Sequence, residues 1–204
     1  LRKTRSKFLW LVVLLVILAV AGCAGKAATS ASPPPAGSQP GSAASFSVYF
    51  PRAGQDPAPV LCELYGKANQ TLDVAIYGLT HPEIVKAIVD AHKRGVKVRV
   101  ITDREQAEST VQKHAISTLL LAGIPVKENT HSGLMHLKMS IIDGAIATTG
   151  SYNYTKSASE KNDEMLVVIK DPAFVKICQE EFARMWADEK NFVSLENKGK
   201  GAKH

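Results

Sequence analysis

The spacing of apolar residues changes several times between Phe46 and Trp186, and each change predicts a new element. Phe46, Val48 and Phe50 alternate as a strand does, and Pro51 with Gly54 ends the run. Val60, Leu61, Leu64, Tyr65 and Ala68 follow at helical spacing, and Leu72–Tyr77 is a compact second strand. His81-Pro82 opens a helix with Ile84, Val85, Ile88 and Val89 on one face, and Gly95 stops it. Val96–Ile101 predicts a strand, and Thr110–Ala122 a helix with Ala115, Ile116, Leu119 and Leu120 inward. A short strand follows at Ile124–Lys127. Asp143-Gly144 lies between two strand-like runs, a strong hairpin signal. Met165–Ile169 predicts a further strand, and Asp171-Pro172 opens a helix that ends near Trp186. Helices between strands imply crossovers. The expected fold is therefore α/β, with a mixed, mostly parallel central sheet flanked by helices on both faces.

Outside this pattern the chain changes character. Arg2, Lys3, Arg5 and Lys7 precede an apolar run from Phe8 to Val20, a signal-like arrangement too short for an ordinary bilayer span of about 20 residues. Val20-Ala21-Gly22-Cys23 resembles the bacterial lipobox, which implies a lipidated Cys23 and a domain held by lipid at the outer face of a bacterial cell membrane. Ala24–Ala44 is Ala, Ser, Pro and Gly apart from Lys26, Thr29 and Gln39, a tether that cannot bury a core. The expected organisation is a signal at 1–22, a lipidated cysteine and linker at 23–44, a catalytic domain at 45–190 and a polar tail at 191–204. The formal charge is +6, and the four basic residues before Phe8 supply most of it. The folded part is close to neutral, so net charge does not single out a nucleic-acid partner. A local cluster of Lys93, Arg94, Lys97 and Arg99 reads more readily as a solvated face than as an anion site. Three cysteines make no disulfide framework, although a Cys62–Cys178 bond stays open outside the cytoplasm.

The chemistry concentrates between His136 and Glu164. In a strand over Leu137–Ile142, His136, Lys138 and Ser140 share one face and Leu137, Met139 and Ile141 the other. Imidazole can attack phosphorus near neutral pH, and an ammonium beside it can neutralise a phosphoryl oxygen. After the hairpin, Gly150 permits close backbone approach, and Ser151 and Asn153 offer short polar groups to an oxyanion. Asp143 has the other parity and sits in the turn, where it reads as a turn residue and a support. Glu164 borders the next strand, where a carboxylate can orient an imidazole or simply face solvent. A metal site built from His131, His136 and Asp143 lacks a ligand spacing and would place Lys138 among the ligands.

His136-x-Lys138, Asp143, Gly150-Ser151 and Asn153 together resemble the signature of the phospholipase D superfamily. Chain length and the single copy are most similar to its small bacterial endonuclease branch, over roughly Phe46 to Glu189. The resemblance implies a phospholipase D-like fold and metal-independent phosphodiester hydrolysis. It casts His136 as a nucleophile forming a covalent phosphohistidine, and Lys138, Ser151 and Asn153 as ligands of the phosphoryl oxygens. It places Glu164 at an acidic position that hydrogen-bonds a catalytic histidine, and Asp143 in the motif. With one motif per chain it also implies a homodimer sharing one site. The leading expectation is a nonspecific endonuclease on DNA or RNA. The alternatives are a phospholipase D acting on phosphatidyl lipids, which membrane attachment favours, and an inactive phosphate-binding lipoprotein.

Overall fold

A computed structural model describes residues 45–195, so the signal segment, Cys23, the linker and residues 196–204 lie outside the described residues. Among the described residues eight strands form one sheet in the order β1-β7-β6-β5-β2-β3-β4-β8. In chain order they are β1 (Ser45–Tyr49), β2 (Thr71–Ile76), β3 (Lys97–Thr102), β4 (Val126–Asn129), β5 (Lys138–Ile142), β6 (Ile146–Gly150), β7 (Leu166–Lys170) and β8 (Phe192–Ser194). The helices are α1 (Pro57–Gly66), α2 (Pro82–Lys93), α3 (Arg104–Glu108), α4 (Thr110–Leu121), α5 (Lys156–Glu160) and α6 (Pro172–Ala187).

Helix starts follow local chemistry. Asp56, Ser109 and Asp171 each accept a backbone N–H from the first turn of α1, α4 and α6. Pro57, Pro82 and Pro172 occupy first positions where no N–H is needed. Short α3 and α5, capped by Asp103 and Thr155, carry no apolar stripe long enough to announce them.

The expected mostly parallel sheet is corrected: the sheet is mixed and mostly antiparallel. β2–β3 and β3–β4 are the parallel pairs. The other five pairings are antiparallel. Crossover logic holds only where α2 and α4 join successive strands. β5 returns beside β2 after a loop, and the β5–β6–β7 meander and the edge strands β1 and β8 all run against their neighbours. β8, in the stretch read as tail, is too short for its periodicity to show.

Two cores cover the two faces. α1, α2 and α4 pack over one, where Leu61, Tyr65, Leu72, Ile84, Ile88 and Leu119 are buried. α6 covers the other with Val175, Cys178, Phe182 and Met185, against Ala75, Ile101 and Ile141. Cys62 and Cys178 are both free and lie on opposite faces, with the sheet between them. The basic cluster is partly consumed by structure. Arg94 donates to the carbonyls of Tyr65 and Ala68 at the end of α1. Arg99 grips Asp73 through two bonds of 2.7 and 2.8 Å while lying against Phe182 and Trp186.

Because Asp73 is 7% exposed, Asp73→Ala leaves the Arg99 guanidinium without its carboxylate beneath α6. A loss of about 2–3 kcal/mol is expected, below the range for a fully buried pair because Arg99 is partly exposed. Urea unfolding checks it: an unmoved midpoint would show that the pair contributes nothing.

Candidate active site

The carboxyl ends of parallel β2, β3 and β4 meet the start of β5 and the end of β6 at one edge of the sheet. Ile76 pairs with Lys138, and the Tyr77 N–H reaches the Leu137 carbonyl at 2.9 Å, so pairing continues one step past the strands. Alternation along β5 follows the expectation. Met139 and Ile141 face α6, while Ser140 turns to the other layer, where Tyr65 and Tyr154 each hydrogen-bond its hydroxyl at 2.7 Å.

Lys138 is 7% exposed, and its ammonium sits 3.1 Å from each ring nitrogen of His136 and 2.9 Å from the His136 carbonyl oxygen. The Tyr77 ring lies beneath both, 5.2 Å from Lys138 Nζ and 4.7 Å from the imidazole centre. Burial pulls the Lys138 pKa below the ordinary lysine value, and the Glu164 carboxylate opposes that fall. His136 stays exposed just ahead of β5. An accessible imidazole thus stands beside a largely buried cation.

The second wall follows β6. Gly150 has φ 135°, and a Cβ there would come within 2.0 Å of the Met165 carbonyl oxygen, so only glycine lets the chain pass. Ser151 Oγ then donates to Glu164 Oε2 at 2.5 Å and accepts the Met165 N–H at 3.1 Å. Asn162 Nδ2 donates to the other carboxylate oxygen at 3.0 Å. Asn153 Oδ1 accepts the Gly78 N–H at 3.2 Å. The Gly78 carbonyl takes the Tyr154 N–H, and the Tyr154 carbonyl takes the N–H groups of Thr80 and His81. This geometry unites His136, Lys138, Ser151, Asn153 and Glu164. Glu164 is held by Ser151 and Asn162 instead of by the imidazole.

Asp143 does not join them. It lies at the far end of β5, about 17 Å away by the rise of five strand residues. Its carboxylate accepts the backbone N–H groups of Asn69, Gln70 and Thr71 at 2.7–2.9 Å. Asp143 and Gly144 both take positive φ, and the Ala145 N–H closes the turn onto the Ile142 carbonyl. Partial burial raises the Asp143 pKa, but the three N–H donors outweigh it and hold the carboxyl below the ordinary value.

Several residues around the site went unnoticed in the sequence. Gln112, fully buried, accepts the Leu79 N–H at 2.6 Å and donates to Thr102 Oγ1 at 2.8 Å, fixing the loop after Tyr77. Its signal was available: a polar residue on the helical stripe of Ala115, Ile116 and Leu119. Asp103 accepts the Met135 N–H at 3.0 Å and so anchors the loop before His136. Of the other histidines, His131 packs edge-on to Phe192 beside the site, and His81 is buried at the start of α2. Among the described residues no group of three or more His, Cys, Asp and Glu side chains is arranged to hold a metal ion.

Comparison with known proteins bears on this geometry. The family described as cardiolipin synthase, PLD-like domain, matches residues 61–186. The mitochondrial cardiolipin hydrolase of Chlamydomonas reinhardtii is 35% identical over 59% of this chain, and that of Xenopus tropicalis 34% identical over 60%. The chain spans 53% and 57% of those two proteins' own lengths. The solved phospholipase D family member Nuc from Salmonella typhimurium has 27% identity and a TM-score of 0.69, over 75% of this chain and 99% of Nuc.

These relatives correct three expectations. The small bacterial endonuclease branch with a lipoprotein signal gives way to a single-motif superfamily member similar to eukaryotic mitochondrial cardiolipin hydrolases. The expected setting at the outer face of a bacterial membrane is overturned by the same relatives, which are named for mitochondria. The expected partner set, a homodimer tied to a membrane through lipid on Cys23, is overturned by the same relatives. Among the described residues no helix is long and apolar enough to cross a membrane.

Asp143→Ala is expected to cost about 1–2 kcal/mol at neutral pH, because three backbone donors lose a charged acceptor that is only partly buried. The folded carboxyl titrates below its unfolded value of about 3.9, so its stabilisation is complete above that value. It is lost as pH falls through the lower, folded pKa. Denaturant titrations of both proteins across that window check the sign: a gap that grows on acidification would contradict it.

Proposed function

This chain belongs to the PLD-like family described for cardiolipin synthase, within the phospholipase D superfamily, and from that premise we propose that it hydrolyses phospholipid phosphodiesters of the cardiolipin type. The observation that carries the chemistry is the buried Lys138 ammonium, 3.1 Å from both nitrogens of an exposed imidazole. What supports the lipid over nucleic acid is the company of relatives named cardiolipin hydrolases, together with a folded part of nearly balanced charge.

In the proposed mechanism a neutral His136 attacks phosphorus, a phosphorus–nitrogen bond forms, and the bond to the leaving oxygen breaks as that oxygen takes a proton from water to depart as the alcohol. Water then attacks the phosphohistidine, releasing the phosphate product and restoring the imidazole. Lys138 and the Asn153 amide donate to the non-bridging oxygens as charge builds on them. Ser151 can join them only by turning its hydroxyl from Glu164. Glu164 keeps Lys138 charged against the burial that disfavours the cation. Asp143 serves the fold from the opposite edge of the sheet. Among the described residues there is one His-x-Lys pair, so a second such imidazole for the leaving oxygen does not come from the same copy of the motif.

Purified protein is expected to release phosphatidic acid from cardiolipin micelles in the presence of EDTA, and to cleave plasmid DNA and RNA far more slowly. Cleavage of nucleic acid alone would reverse the substrate assignment, and a strict need for a divalent metal would sink the mechanism. His136→Asn is expected to lower kcat by about a thousandfold or more. Full activity in that variant would place the chemistry elsewhere.

Loss of the Lys138 proton is expected to end activity at a pH below the ordinary lysine value, since burial lowers its pKa. A pH–rate profile checks this: a plateau that continues past pH 10.5, the ordinary value, would show that the ammonium is not required.

A further inference from the structure

A cavity of about 390 Å³ opens beside His136, and the chemistry above gives it no task. His131, Leu134, Met135, Leu137, Met185 and Phe192 line it, with the imidazole on its wall. That volume lies within the range of about 300–1,000 Å³ in which small ligands are held.

Its two leucines are 48% and 39% exposed, although the backbone around them is tied. Asn129 Nδ2 donates to the Gly133 carbonyl at 2.9 Å, and the Met135 N–H donates to Asp103 at 3.0 Å. The Leu137 carbonyl accepts from the Tyr77 N–H at 2.9 Å. Leu134 and Leu137 therefore face outward because the loop is fastened between them. A single exposed leucine carries little information, but two on a fixed loop flanking a nucleophile form an apolar surface with a definite position. Met165, 37% exposed, extends that character to the Glu164 side of the site.

The charge pattern narrows the occupant. Arg184 at the cavity's α6 edge is already neutralised by Glu181 through two bonds of 2.7 and 2.8 Å. A nucleic-acid strand would bring a further phosphate at each step and require free cations along its path. An alkyl chain requires none.

We propose that this cavity receives the part of a phospholipid acyl chain nearest the glycerol, while the phosphate of the same molecule sits at His136 and Lys138. The inference rests on the phospholipid reading given above and adds the surface that selects for it. Both parts of the ligand then reach the imidazole at once, the polar part from the Lys138 side and the apolar part from the α6 side.

The test compares the wild type with a Leu134→Gln/Leu137→Gln variant on long-chain cardiolipin, short-chain cardiolipin and bis(p-nitrophenyl) phosphate, which has no acyl chain. The ratio of kcat/KM for long-chain lipid to that for the acyl-free ester is expected to fall about tenfold, chiefly through KM. The wild type's preference for long over short chains is expected to flatten in the variant. Thermal unfolding and sedimentation of both proteins are measured alongside. An unchanged ratio overturns the inference. Equal loss on all substrates with altered sedimentation also overturns it, because the patch would then be a surface covered by a second copy. A wild type that cleaves the acyl-free ester but no lipid refutes the phospholipid reading itself, a different failure from an unchanged ratio in an enzyme active on phospholipid.

Discussion

A lysine ammonium that is mostly withdrawn from water must find acceptors, and Lys138 finds them in the backbone and ring of His136 and on the face of Tyr77. The neighbouring structure follows from that need. β5 must start where β2 ends, so that Tyr77 lies under the ammonium. The loop after Tyr77 must hold its shape, so Gln112 reaches across from α4 and Asn153 from the end of β6. The Glu164 carboxylate opposes the fall that burial causes in the Lys138 pKa, and Ser151 and Asn162 hold that carboxylate in place. Hydrophobic burial on the two faces stabilises the sheet, but the demand of one cation organises its active edge.

The residues of this edge were legible in the sequence to very different degrees. His136 and Lys138 share a face because strand alternation requires it, whereas Asp143 is set apart by its place at the far end of β5. Gly150 was read as a point of close approach, and the close partner is the Met165 carbonyl oxygen. Pairing direction was not legible. Helices between strands suggested crossovers throughout, yet only the β2-to-β4 stretch obeys that rule. A loop leading to β5 and a doubled-back segment between β6 and β7 leave no periodic trace from which orientation can be read.

Tyr77 and Gln112 show a second limit. Tyr77 looked like the last residue of an apolar strand, and its task depends on a strand more than sixty positions later in the chain. Gln112 was visible as a polar interruption of an apolar stripe, but its partners lie on two other elements. Long-range partners are set by packing, and a single sequence records the residue without recording whom it meets.

The Asp143 clamp has a consequence for how such a motif tolerates change. One short strand carries a chemical constraint at its beginning and a folding constraint at its end, separated by about five residues of sheet. The spaced motif positions from His136 to Asn153 thus superpose two independent requirements. Substitutions at one end are free to alter turnover while leaving the melting temperature alone, and substitutions at the other to do the reverse. A lineage that abandons the chemistry can therefore keep the aspartate and the fold, and retain half of the signature as a mark of architecture alone.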